Sequence, residues 1–191
     1  MPEQAFDRDF VLERIDRAAR VVASLAERAD DLLRVAHAVR DSIGAGGKVL
    51  TCGNGGSAAE AMHLAEELIG KYRDPRRPLP AICLNADPTA LTCIANDFGF
   101  DEVFARQTQA LAQSGDALVV FSTSGNSPNI VRALEAARAA GATTLGLLGK
   151  GGGAALAHCD AALVVDETDT GHIQEAHQVA LHLILECVER V

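Results

Sequence analysis

The sequence predicts an α/β fold in which a five-stranded, doubly wound parallel sheet carries helices on both faces. Three observations predict it. Short apolar runs alternate with helical periodicities through most of the chain, as strand–helix–strand crossovers require. The run DALVVF at 116–121 is apolar after its first residue, as a central parallel strand buried on both faces must be. Two glycine- and hydroxyl-rich turns follow strands, where ligands of open parallel sheets bind. The 191 residues fit one domain with a sizeable core, divided into N-terminal helices (1–46) and the alternating part (47–191).

The elements follow in order. Over 6–30, Val11, Ile15, Ala18, Val22, Leu25 and Ala29 recur at alternating spacings of four and three, a heptad-like seam on one helix. At 1.5 Å per residue that helix is roughly 36 Å long, and its overhang suggests a subunit partner as readily as packing within the chain. A second helix runs from 31 to the glycines at 44–47. Strands are expected at 48–52, 81–84, 116–121, 143–148 and 161–165. Between them, helices are expected at 57–72, 88–95, 102–113, 128–140 and 152–157, with 73–80 a loop and 96–100 a turn. A last helix covers 172–191.

Bulk properties exclude several functions. A formal charge of −9 argues against a nucleic-acid-binding surface, which needs clustered cations. An anionic ligand stays possible, because the field in a cleft comes from local helix ends and hydroxyls. No signal-like segment and no apolar run near 18 residues is present, so the expectation is a soluble, cytoplasmic protein away from membranes. Cys52, Cys83, Cys93, Cys159 and Cys187 show no paired spacing and read as reduced, mostly buried thiols.

The chain is organised around TCGNGGSAAEAMHLAEELIGKY at 51–72. A strand runs into Gly53, Asn54, Gly55 and Gly56, which let backbone N–H groups approach a ligand at a helix N-terminus. Ser57 reads as the N-cap, with Glu60 completing a capping box. His63 and Glu67, four apart, can share one proton path or one divalent metal. The plainer alternative is an amphipathic helix with a surface Glu–His pair. The second turn, STSGNS, offers the hydroxyls of Ser122, Thr123, Ser124 and Ser127 just past the central strand. With Pro128 opening the next helix, it can bind a phosphate without a lysine. It is neither a Walker loop nor a dinucleotide fingerprint. On the last helix Gln174, Gln178 and His182 form a column, with Gln174 and His182 about 12 Å apart along the axis, and His177 lies off it.

Five of these motifs occur in an order that resembles the phosphoheptose isomerases. They are Gly-Asn-Gly-Gly-Ser at 53–57, Met-His-Leu-Ala-Glu-Glu-Leu at 62–68, Asn-Asp-Phe-Gly-Phe at 96–100, 122–129, and Ile-Gln-Glu at 173–175 with His182. The resemblance covers essentially the whole chain. It implies a three-layer αβα SIS (sugar isomerase) domain whose long N-terminal helix serves oligomerisation, in a homotetramer with active sites between subunits. It also implies interconversion of sedoheptulose 7-phosphate and D-glycero-D-manno-heptose 7-phosphate. By the same resemblance Glu67 and His182 are the acid/base pair, while Ser122, Thr123, Ser124 and Ser127 hold the phosphate. Asn54, Gly55, Gly56, Ser57, Asn96, Asp97 and Gln174 contact the sugar, and His63, Glu67, Gln174 and His182 match a zinc site. Where the family commonly has a polar or acidic residue followed by arginine, this chain has Gly171 and His172. The rival is a non-catalytic SIS protein, either a sugar-phosphate sensor or a relative of replication-initiator-binding proteins. The retained His63, Glu67 and His182 favour the enzyme.

Overall fold

In the computed structural model, which describes residues 6–190, the strands lie in the order β2-β1-β3-β4-β5 and every pairing is parallel. They are β1 (Val49–Gly53), β2 (Ala81–Cys83), β3 (Ala117–Ser122), β4 (Thr143–Gly149) and β5 (Ala161–Val165). The helices are α1 (Arg8–Ala23), α2 (Ala29–Gly44), α3 (Gly56–Ile69), α4 (Pro88–Phe98), α5 (Ala105–Leu111), α6 (Pro128–Ala139) and α7 (Thr170–Glu189).

The central strand shows why there are three layers. On β3, Ala117, Val119 and Phe121 point into a core shared with α2, α3 and α7. Leu118 and Val120 point the opposite way, into a second core with α6 and flanking residues of α4 and α5. A strand that alternates sides while Ala117 to Phe121 are all apolar must be covered on both. Strand order reverses between β1 and β3, and there Gly53 lies in register with Phe121. The turns after both strands therefore leave the sheet side by side.

Several boundaries differ from expectation. The helix expected over 6–30 is interrupted: α1 stops at Ala23, a 3₁₀ turn spans Ser24–Arg28, and α2 begins at Ala29. The Ser24 hydroxyl donates back to the Val21 carbonyl at 2.8 Å, a bond that bends helices, and the turn carries Leu25 into the core. Residues 96–98 are not a turn but the last turn of α4, which ends at Gly99 with φ +91°. The helix expected over 102–113 is shorter, a 3₁₀ turn at Phe100–Glu102 followed by α5. The segment 152–157 forms 3₁₀ turns because Gly151, Gly152 and Gly153 all take positive φ. The last helix starts at Thr170, and residue 191, included in its expected span, lies outside the described residues.

Against the rest of the fold α1 packs on α7 and is pinned by two ion pairs, Arg14 with Asp169 at 2.6 Å and Arg17 with Glu167 at 2.6 Å. The first part of the seam expected for a partner is left uncovered: Val11 and Ile15 are exposed, Ile15 by 60%, while Ala18 and Val22 are half-buried and Leu25 is in the core. Cys52 and Cys83 are buried, Cys159 and Cys187 partly so, and Cys93 is exposed on α4. Burial pushes the Cys52 thiol far above the ordinary range, so it packs rather than reacts.

Candidate active site

The glycine turn is built differently from the expected capping box. Gly55, at φ +59°, precedes the first helical residue, Gly56, and no side chain caps α3. The first-turn amides are met by the turn itself, with Ser57 N–H donating to the Asn54 carbonyl and Ala58 N–H to Gly55, both at 3.1 Å. Ser57 is thus inside the helix and buried, its hydroxyl without a partner, and the Glu60 carboxylate is buried and unpartnered one turn later. The glycines let the chain enter the helix two residues early, which removes the capping role from Ser57. Gly53 is needed for that closeness, since a Cβ there would sit 2.3 Å from the Ser57 carbonyl oxygen.

Two asparagine amides fix the turn. Asn85, just past β2, accepts from the Gly53 N–H at 3.1 Å and donates to its carbonyl at 2.9 Å. Asn54 exchanges two 2.9 Å hydrogen bonds with Asn129 on the first turn of α6. The glycine turn and the STSGNS loop are therefore tied together across the strand-order reversal.

In the STSGNS loop the Ser122 hydroxyl accepts from Gly125 N–H at 3.0 Å, and that of Ser124 accepts from Asn126 N–H at 3.2 Å. Each hydroxyl keeps its own proton to donate. Ser127 is the N-cap of α6 with no side-chain bond to the helix, and Pro128 occupies the first turn. The loop is braced from behind by the segment after β4, where Asn126 Oδ1 accepts from Ala154 N–H at 2.9 Å. Hydroxyl donors at the N-terminus of a twelve-residue helix suit a phosphate.

His63 and Glu67 meet as the helical spacing predicts, with His63 Nε2 3.4 Å from a Glu67 oxygen. The other side of His63 was not foreseen. Gln178 Nε2 lies 2.6 Å from His63 Nδ1 and 3.3 Å from His182 Nε2, so one amide donates to both rings. The rings sit edge to face with centroids 5.3 Å apart, and Tyr72 stacks on the far face of His182 at 5.2 Å. Burial holds His182 below the usual histidine range, and the neighbouring His63 pushes the same way, against the pull of Glu67. His182 therefore stays a neutral proton acceptor near neutral pH.

Gln174 lies one turn nearer the glycine turn, where a Cβ on Gly56 would come within 2.3 Å of its amide nitrogen. Gly56, His63, Gln174 and Gln178 line one side of an open cavity of about 720 Å³, with Ala18 and Val22 of α1 on the other. Asn96 and Asp97 are not drawn into this cluster. They are exposed at the end of α4, and Asn96 donates to Asp97 at 2.7 Å. His172 is buried and its Nδ1 lies 2.7 Å from Glu175, while Gly171 is exposed.

Among the described residues, ligand atoms of His63, Glu66 and Glu67 lie within 4.8 Å of one another, as a metal site would need. Imidazole and carboxylate donors suit zinc. Besides Asn85 and Gln178, sequence reasoning missed Arg76. Its guanidinium donates to the carbonyls of Glu67 at 2.7 Å and Leu68 at 2.9 Å while pairing with Glu189. Arg76 stands in the charged, proline-containing loop, where nothing in the local pattern sets it apart; Gln178 stood in the column of α7 and could have been found there.

Comparison with known proteins shows the family to which this fold belongs. Residues 14–149 match the SIS domain family. The phosphoheptose isomerase of Chlorobaculum tepidum is 49% identical over 187 residues, covering 96% of this chain and 90% of that protein. That of Campylobacter concisus is 55% identical over 151 residues, 79% of this chain and 80% of its own. The structure of phosphoheptose isomerase GmhA from Neisseria gonorrhoeae superposes with a TM-score of 0.91 at 36% identity, covering 96% of this chain and 99% of that one. The chain belongs to the SIS-domain family, within it to the phosphoheptose isomerases, and is an enzyme.

Proposed function

We propose that this isomerase interconverts sedoheptulose 7-phosphate and D-glycero-D-manno-heptose 7-phosphate through an enediol. The observation that carries the reading is the continuous contact Glu67–His63–Gln178–His182, on the two helices that border the cavity beside the glycine turn. Aldose–ketose isomerisation needs a base for the carbon-bound proton, an acid for the carbonyl oxygen, and stabilisation of the enediolate between them. Glu67 takes the proton from the carbon next to the carbonyl. His182, kept neutral by its surroundings, exchanges a proton with the carbonyl oxygen. Ser122, Thr123, Ser124 and Ser127 hold the phosphate, which fixes the reacting carbons at the far end of the chain from it. Asn54, Gly55, Gly56, Asn96, Asp97 and Gln174 serve the sugar, and Ser57 shapes the turn beneath it, because its hydroxyl is buried and its N–H donates to the Asn54 carbonyl.

His63, Glu67, Gln174 and His182 would hold a zinc ion. Bound there, zinc would supply Lewis-acid stabilisation of the developing oxyanion. The protein works in the cytoplasm; no helix among the described residues is long and apolar enough to cross a membrane. It assembles as a homotetramer, with Asn96 and Asp97 presented to a neighbouring subunit's crevice. This is supported by their exposure away from the cluster and by the uncovered seam of α1. The test is incubation with sedoheptulose 7-phosphate and other ketose phosphates, followed by NMR. Formation of the heptose 7-phosphate is expected; turnover of a different ketose phosphate alone would reassign the substrate, and no turnover of any would favour the sensor.

A further inference from the structure

Beneath the reacting groups lies a polar pair that the mechanism above leaves unused. Glu60 on α3 and His177 on α7 are buried, the histidine completely. Both carboxylate oxygens and both ring nitrogens lack a hydrogen-bond partner. Buried polar groups are nearly always satisfied, so four orphaned atoms on two neighbouring side chains call for a reason. His177 Nδ1 and Glu60 Oε2 face each other at 3.8 Å, one small side-chain adjustment from a hydrogen bond. The His177 ring also stands edge-on to Phe121, centroids 6.2 Å apart, and Phe121 directly precedes the STSGNS loop.

The place of the pair matters more than its chemistry. Glu60 is two helical turns before Glu67 on nearly the same face of α3, and His177 lies between Gln174 and His182 on α7. Glu60 also lines the cavity with Gly56 and Gln174. One bond between Glu60 and His177 thus joins the two helices that carry the acid/base pair, at the end of the strand that leads to the phosphate loop. We propose that Glu60 and His177 are positioning residues: the Nδ1–H of His177 donates to the Glu60 carboxylate, and that bond sets the separation of α3 and α7. The gap between Glu67 and His182 follows from it, while the carboxylate oxygens and ring nitrogens of the pair stay buried behind the cavity wall and touch no substrate.

This rests on the isomerase reading, so the experiment separates the two. Glu60→Gln keeps size and an acceptor oxygen; Glu60→Met keeps size and loses the acceptor. With sedoheptulose 7-phosphate, Glu60→Met is expected to lower kcat about 10–10²-fold with KM nearly unchanged, and Glu60→Gln to restore most of it. The double variant Glu60→Met/His177→Leu should lose no more than Glu60→Met alone, because the two act as a unit. A Glu60→Met enzyme with wild-type kcat, or strictly additive losses in the double variant, overturns the proposal. Loss of thermal stability with kcat per folded molecule intact overturns it equally, since that is packing alone. NMR reads the bond without activity: the wild type should show a slowly exchanging, downfield ring N–H proton that vanishes in His177→Leu. Its absence from the wild type refutes the pair even if Glu60→Met fails to fold. Its presence in a wild type that turns over no sugar phosphate would remove the isomerase reading and the positioning role, leaving only the bond.

Discussion

Glu67 has to reach an imidazole and be held still, and different neighbours meet each demand. His63 lies 3.4 Å from its carboxylate, and Arg76 grips its own backbone carbonyl. Glu67→Gln preserves size while removing the proton acceptor, so steady-state kinetics should show kcat falling about 10²–10⁴-fold with substrate binding little changed. The pH profile belongs to His182. Its folded pKa is lowered by burial and by His63, so the ring stays neutral as pH falls through the ordinary histidine value. The acid limb of kcat/KM should therefore lie below pH ~6.5 and move upward in His63→Ala, which removes the repulsion. An acid limb unmoved by that change would show that another group controls it. Gly56→Ala probes the same wall of the cavity at the glycine turn. The added Cβ would meet only the end of the Gln174 side chain, at 2.3 Å, which can swing away. The expected result is a drop in kcat/KM of about tenfold or more with an unchanged melting temperature.

At the scale of elements, the site is the meeting of two strand-end turns with two helix faces. The end of α3 is closed by Arg76, which fills the gap left by the last orphan carbonyls and pairs with Glu189. Arg76→Ala should cost about 1–3 kcal/mol in chemical denaturation, because it strips charged donors from partly buried acceptors. Ser122→Ala and Ser124→Ala should each raise KM by an amount worth about 1–3 kcal/mol, since each removes a hydroxyl donor from the phosphate loop. The strands, the two turns and the His63/Glu67 pair could be read from the chain because each is a local pattern: an apolar run, a glycine cluster, a spacing of four. The role of Ser57 could not, because the choice between capping and burial depends on how early the glycines let α3 begin. The contacts of Gln178, although it stands in the α7 column, and of Asn85 were hidden for a different reason. Each acts across the fold, the first from α7 to α3 and the second from the end of β2 to the end of β1, and no spacing along the chain records such contacts.

At the scale of the molecule, α1 rests on α7. It is held to the start of α7 by Arg14–Asp169 and Arg17–Glu167. The hydrogen bond from Arg17, with the backbone N–H of Asp169 and despite the opposing effect of burial, holds Glu167 down to about 2. A depressed carboxylate stabilises the folded state above its unfolded pKa and loses that contribution as pH falls through its folded one. Circular dichroism should accordingly show stability falling between about pH 4.5 and 2, and Glu167→Gln should flatten that dependence. The exposed seam of α1 gives the assembly test. Ile15→Glu adds charge at an exposed position without opening the core, so sedimentation should show a smaller oligomer and the assay a loss of activity. A tetramer that forms undiminished would assign the seam to some other purpose. The central claim, that Glu67 moves a carbon-bound proton of a heptose phosphate, is tested most directly by turnover of sedoheptulose 7-phosphate in D₂O, followed by NMR. The wild type is predicted to form the aldose with solvent deuterium at C2, and Glu67→Gln to form it about 10²-fold more slowly or not at all; equal rates in the two proteins would contradict the account.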